Sequence, residues 1–260
     1  MAEINLEALA RGEIDVLADA ISRGENGEFS PSEVATIHER AAALESVSSQ
    51  PGRIGITGSP GVGKSTLTNL LVKEFRGSGA KVGVLAVDPS SVLTGGALLG
   101  DRIRMQEHYV DPGVFIRSMS ARGHLGGLAR ATPIASEILA IAGYAPVIVE
   151  TVGVGQSEVE VMNHVDTTIV VLAPGAGDDI QSAKAGILEV ADIFIINKID
   201  RDLEGAEKLR QELIRSQELS MRHDGWRAPV IMTSALDRIG ITEVVAAIKK
   251  HQEFKSADKG

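Results

Sequence analysis

The sequence predicts an α/β fold, a mostly parallel sheet with helices on both faces, preceded by a short helical segment. Two observations carry this. From residue 53 onward, short runs rich in Val and Ile alternate with stretches of helical periodicity. The chain also has 28 Gly but only 3% aromatic residues, so small aliphatic side chains must fill the core and tight turns are frequent. With 260 residues and 43% hydrophobic content, it fits one sizeable domain with a small appendage.

The elements follow in order. Residues 4–22 carry Leu6, Leu9, Ile14, Leu17 and Ile21 at helical spacing and read as one helix, broken at Gly24-Glu25-Asn26-Gly27. Ser30 reads as the N-cap of a second helix running towards Leu44, with Pro31 at its first position and Glu33 as capping-box partner. The polar stretch 46–52 is a linker. It divides a helical segment, 1–50, from a nucleotide-binding domain, 51–254, which a short tail, 255–260, follows. Strands are expected at 53–57, 81–87, 114–118, 145–150, 167–173, 192–197 and 228–233. Helices are expected at 64–76, 100–109, 126–142, 179–190, 203–218 and 240–251. In such an alternation a ligand belongs at the carboxyl ends of the strands.

Charge and composition exclude several function classes. A formal net charge of -9 gives no basic field for a nucleic-acid backbone or an anionic membrane, and few aromatics are available to stack bases. The first twenty residues hold no basic segment followed by an apolar run, and no stretch has the apolar length to span a bilayer. A cytoplasmic protein without nucleic-acid or membrane partners is expected. There is no Cys, hence no disulfide or thiolate metal site, and the six His show no metal-ligand spacing. His124, in a Gly-rich loop, reads as a structural hydrogen-bonding residue, and Trp226 as packing under the loop before the last strand.

Gly58-Ser59-Pro60-Gly61-Val62-Gly63-Lys64-Ser65 matches the P-loop, and it lies between an apolar run, 54–57, and a helical stretch, as that motif requires. Glycines let successive backbone N–H groups turn towards phosphates, Lys64 reaches the β and γ oxygens, and the helix N-terminus adds its positive end. Ser65 is the candidate Mg²⁺ ligand, and Thr66 completes the nucleotide-binding set on this side.

Asn197-Lys198-Ile199-Asp200 closes the run 193–196 and matches the guanine-reading NKxD pattern. A carboxylate accepts from both N1–H and the exocyclic amine of guanine, an arrangement that adenine lacks. Thr233-Ser234-Ala235-Leu236 ends another strand and matches the loop that supports the base through a backbone N–H, which adds Ser234, Ala235 and Leu236 to the site. Asp88, Asp101 and Glu150 are the acidic candidates for the metal, each at a strand end or helix start on the same edge of the sheet. Mg²⁺ prefers oxygen ligands and keeps several waters, so one or two of these would act directly.

These residues, taken together, closely resemble the MeaB/ArgK/MMAA GTPases, G-protein chaperones of adenosylcobalamin-dependent acyl-CoA mutases. The resemblance rests on the P-loop, Val87-Asp88-Pro89-Ser90-Ser91, Gly95-Gly96, Leu99-Gly100-Asp101-Arg102 and Arg117-Ser118-Met119. It continues through 122–128, Glu150-Thr151-Val152-Gly153-Val154-Gly155-Gln156, Pro174-Gly175-Ala176-Gly177-Asp178-Asp179, Lys184 and the NKxD run. It implies a P-loop NTPase fold of the SIMIBI type, GTP and GDP as ligands, Mg²⁺ as cofactor, and slow GTP hydrolysis stimulated by a partner. It also implies switches at 88–104 and 150–156, with Lys64, Asp88, Glu150 and Gln156 serving catalysis. A third loop, 173–187, with Asp178, Asp179, Gln181 and Lys184, would face the partner. The implied partner is an acyl-CoA mutase such as methylmalonyl-CoA mutase, whose cofactor loading, protection or repair the GTPase gates; a cobalamin adenosyltransferase and a second copy of the chain are further candidates.

Three departures stand out. Ala97 and Ile103 replace a Ser and a Thr of the family's first switch, Asp237-Arg238-Ile239-Gly240 replaces small residues, and the chain ends soon after His251, ahead of the helical arm with which many members dimerise. Rival readings are a nickel metallochaperone GTPase, disfavoured by the lack of Cys, a small-molecule kinase using the same P-loop, and a nucleotide-binding scaffold without turnover.

Overall fold

The computed structural model describes residues 3–45, 52–88, 106–108, 110–120, 125–151, 160–175, 190–219 and 224–258. Seven strands, β1 (Arg53–Thr57), β2 (Val82–Asp88), β3 (Val114–Ser120), β4 (Val147–Thr151), β5 (Thr167–Leu172), β6 (Ile193–Ile196) and β7 (Val230–Met232), form a sheet in the order β3-β2-β4-β1-β5-β6-β7. The β1–β5, β2–β3, β5–β6 and β6–β7 pairs are parallel, with Ile54 opposite Thr167 and Val82 opposite Val114. The expected α/β architecture is what the chain adopts. β1, β5 and β6 are buried almost throughout, the mark of strands covered on both faces.

The chain divides into two compact units. The first comprises Met1–Arg53 and Phe75–Val149. Its N-terminal part differs from the single helix expected over 4–22. Leu6–Ala10 (α1) stops at Arg11, Gly12 takes a left-handed φ of 73°, and Ile14–Glu25 (α2) restarts the helix. Gly adopts that conformation at little cost, and the apolar spacing on either side of the turn hid the break. α2 also runs through Gly24, because the turn falls at Asn26-Gly27 instead. Pro31–Glu45 (α3) opens with the expected box: Glu33 Oε2 accepts from Ser30 N–H at 2.9 Å, and Ser30 Oγ accepts from Glu33 N–H at 3.3 Å.

These helices pack on Leu125–Ile141 (α5), which also lies on β2 and β3. Arg117 on β3 ties α2 down, donating to Glu25 Oε2 at 2.5 Å and to Ser22 Oγ at 3.0 Å. Arg76, at the end of Lys64–Gly77 (α4), makes a bidentate pair with Asp111, 2.8 Å on each side, and donates to the Ala80 carbonyl.

The second unit comprises Ile54–Glu74 and Glu150–Gly260. Leu203–Leu219 (α6) packs on β6 and β7, and Ile241–Asp258 (α7) on β5 and β6, α7 running past the expected end at 251. Val170, Leu172, Phe194, Ile196, Leu209 and Leu213 form its core. Trp226, 9% exposed, donates its indole N–H to the Asp192 carbonyl at 2.9 Å and packs on the His251 and Phe254 rings. His251 has a structural place: buried, it meets Thr167 Oγ1 at 2.9 Å and Asp192 Oδ1 at 3.3 Å, anchoring α7 to the start of β5.

Candidate functional site

All described residues of the candidate phosphate and base sites except Asp88 lie in the second unit. β1 delivers the chain into the loop at Gly58, whose φ of 147° no side chain readily accepts; a Cβ there would run into the Val171 carbonyl of β5. Gly61 and Gly63 follow at φ 81° and 103°, and α4 starts at Lys64. The Lys64 side chain folds back into the loop, 6% exposed, and its Nζ donates to the Gly58 and Ser59 carbonyls at 2.5 and 3.0 Å. An ammonium beside loop backbone at a helix N-terminus is an arrangement suited to an anion.

Beside it stands Glu150, the penultimate residue of β4 and 6% exposed. Its Oε1 accepts from Ser65 Oγ at 2.6 Å and its Oε2 from Thr68 Oγ1 at 2.7 Å. These charge-assisted hydrogen bonds help to hold the buried carboxylate. The Ser65 hydroxyl retains its lone pairs while donating to Glu150, so a hydroxyl and a carboxylate, both hard oxygen donors, lie side by side. That donor set fits Mg²⁺, which takes one or two protein oxygens and completes its shell from phosphate and water. Thr68 was not among the residues singled out from sequence; the available signal was a second hydroxyl three positions after Ser65 on the same helix face.

The candidate base-reading elements are tied to this loop by Asn197, 2% exposed and directly after β6. Its Nδ2 donates to the Val62 carbonyl at 2.9 Å, and its Oδ1 accepts from Ala235 N–H at 3.0 Å and Thr233 Oγ1 at 3.1 Å. The Ala235 N–H, one of the backbone donors of the loop expected to support a base, thus already serves Asn197. Lys198 takes a left-handed φ of 64° and directs its ammonium to the Gly61 carbonyl. Asp200 is exposed, and the Ser234 hydroxyl lies 2.8 Å from both its Oδ1 and Asp237 Oδ2. One proton serves both carboxylates, so Asp200 keeps acceptor capacity for a ligand. Leu236, 77% exposed, follows Ala235 in a turn closed by the Ser234–Ile239 bridge.

Of the other candidates, Thr66 is exposed on α4, and Asp88 ends β2 in the first unit. Asp101, Gln156, Asp178, Asp179, Gln181 and Lys184 lie outside the described residues, as do His124 and most of the helices expected at 100–109 and 179–190. Among the described residues, no three His, Asp or Glu cluster as a protein-only metal cage, and no helix is long and apolar enough to cross a membrane.

Comparison with known proteins accords with this geometry. The profile of the family described as methylmalonyl Co-A mutase-associated GTPase MeaB matches residues 17–259. A protein of the GTPase class from Pyrococcus abyssi is 54% identical over 204 residues, which are 77% of this chain and 62% of that one. The GTPase ArgK of Escherichia coli is 39% identical over 259 residues, 97% of this chain and 76% of its own. The chain therefore spans only 62% of the length of the first of these relatives. Among solved structures, one titled as an LAO/AO transport system kinase superposes with a TM-score of 0.71 at 31% identity, covering 97% of this chain and 75% of that one. HypB from Helicobacter pylori, solved with nickel, shares the fold alone, at 20% identity and a TM-score of 0.55 over 84% of this chain and 96% of its own.

Proposed function

Because this chain belongs to the MeaB family of GTPases, we propose that it binds GTP with Mg²⁺, hydrolyses it slowly, and uses its nucleotide state to gate cofactor loading, protection or repair of an adenosylcobalamin-dependent acyl-CoA mutase. One observation carries the nucleotide part: Asn197 ties the loop ahead of the enclosed Lys64 and of Ser65, which is bonded to Glu150, to the turn at Ala235, beside which the exposed Asp200 is held by Ser234.

Lys64 exchanges its two carbonyl partners for β and γ oxygens. Ser65 and Glu150 hold Mg²⁺, directly or through water, and the metal supplies charge neutralisation on the phosphates. Asp200 accepts from N1–H and the exocyclic amine of guanine. Phosphoryl transfer to water needs little covalent work from a protein, so positioning by these groups carries the reaction and a partner completes it. Gln156 and Asp88 are proposed to position the attacking water and the metal's water shell, and Asp101 to support them. Asp178, Asp179, Gln181 and Lys184 are proposed to meet the partner, because loops beside a γ-phosphate are natural reporters of its presence.

Phosphate release from GTP and ATP, measured with and without purified methylmalonyl-CoA mutase, tests this reading. Slow release from GTP alone, accelerated by the mutase, is the expected result. Turnover unchanged by the mutase would remove the gating role. A phosphorylated small molecule in place of free phosphate would assign kinase chemistry instead.

A further inference from the structure

We propose that Thr68, to which none of the recognised motifs gives a part, is a positioning residue of the metal site, acting through Glu150. The inference rests on the nucleotide reading above and deepens it.

Thr is a poor choice for the interior of a helix. Its branched side chain loses rotamer freedom there, and its hydroxyl commonly bonds back to the carbonyl four residues earlier. Thr68 instead lies one turn after Ser65 on α4, has no exposed surface, and points its hydroxyl across to the end of β4, donating to Glu150 Oε2 at 2.7 Å. Ser65 takes the other oxygen, Oε1, at 2.6 Å.

A hydrogen bond to one oxygen alone constrains the terminal torsion of a carboxylate less than bonds to both. Two donors, one on each oxygen and both on the same helix, fix the plane of the group. The oxygen beside Ser65 is thereby held where hydroxyl and carboxylate can serve one cation together. Groups behind a metal ligand that orient it are worth about 10- to 100-fold in metal affinity.

The probe is Mg²⁺ itself, read through release of a fluorescent GDP analogue from the full chain. Thr68→Val keeps the shape and deletes the donor; Thr68→Ser restores the donor. The wild type is expected to hold the analogue more slowly exchanging as Mg²⁺ is added. T68V should need roughly tenfold more Mg²⁺ for the same retardation, bind the analogue normally in EDTA, and recover in T68S. A wild-type Mg²⁺ requirement in T68V overturns the proposal, as does an equal loss of GDP binding with and without Mg²⁺, which would make Thr68 merely structural. Should T68V fail to fold, T68A carries the same comparison. A wild-type protein that binds no GDP at all refutes the nucleotide reading itself, a result distinct from either.

Discussion

Removing the Asn197 side chain should loosen the candidate site at its tie point. In Asn197→Ala the Val62 carbonyl loses its donor, and two buried groups, the Ala235 N–H and the Thr233 hydroxyl, lose their acceptor. Ala235 and Thr233 are 6% and 0% exposed, so water does not readily replace Oδ1. An orphaned buried donor costs about 1–3 kcal/mol, and the hydroxyl can partly escape by rotating, so a total loss of roughly 3–5 kcal/mol is expected. At about 2–4 °C per kcal/mol for a chain of this size, Tm should fall by roughly 6–20 °C. Thr233→Val, which removes one donor and leaves the Ala235 bond, should cost about 1 kcal/mol. In the double variant the Thr233 hydroxyl is no longer there to be orphaned, so the two losses should fall short of additivity by about 1 kcal/mol. Urea unfolding followed by emission of the single tryptophan, Trp226, reads the unit that contains all these residues. An N197A loss below about 1 kcal/mol, or strict additivity with T233V, would refute the role of Asn197 as the tie.

The loop glycines and the acidic capping groups give further expectations. Gly58→Ala should abolish GDP binding and destabilise the fold, since the new methyl meets the Val171 backbone, whereas Gly61→Ala, with open space around its Cβ, should cost only the left-handed strain of about 1–2 kcal/mol. Equal effects in a binding titration and a thermal melt would remove the steric argument. Acid should destabilise the first unit through Glu33 and Asp111. The backbone N–H and hydroxyl of Ser30, then Arg23, hold the Glu33 carboxyl down at about 2 against an ordinary 4.5, and Arg76, with the Gly113 N–H, lowers Asp111 below 3.8. A group lowered on folding contributes in full above its unfolded value and loses the contribution as pH falls through its folded one. Urea midpoints should therefore drop from pH 4.5 towards 2, less steeply in E33Q and D111N; variants running parallel to wild type would contradict this.

The fold was largely legible because its strands announce themselves. Ile193-Phe194-Ile195-Ile196 and the run from Thr167 to Leu172 are too apolar for any place but a buried parallel strand, and Gly58, Gly61 and Gly63 mark the loop between β1 and α4. The break between α1 and α2 was hidden because Leu6 and Leu9 before it and Leu17 and Ile21 after it each keep helical spacing, on either side of a turn that a left-handed Gly12 creates. In the site, what the motifs could not convey were side-chain contacts over long sequence separations. That Glu150 holds Thr68 as well as Ser65, and that Asn197 spends its amide on Val62 and Ala235, depends on where strand ends meet in space. Trp226 was foreseen as a packing residue, but the buried His251 had no sequence signal, because its partners Thr167 and Asp192 lie far from it in the chain.

The claim on which the rest depends is that Asp200 selects guanine. Calorimetric titration of the wild type and Asp200→Asn with GDP, ADP and XDP, all with Mg²⁺, tests it directly. Xanthine carries a carbonyl where guanine has its amine, and an Asn amide donates to that carbonyl where Asp cannot. The wild type should bind GDP and reject ADP and XDP, and D200N should lose about 100-fold or more in GDP affinity while gaining XDP. GDP binding unaffected by D200N, or ADP bound as tightly as GDP by the wild type, would contradict it.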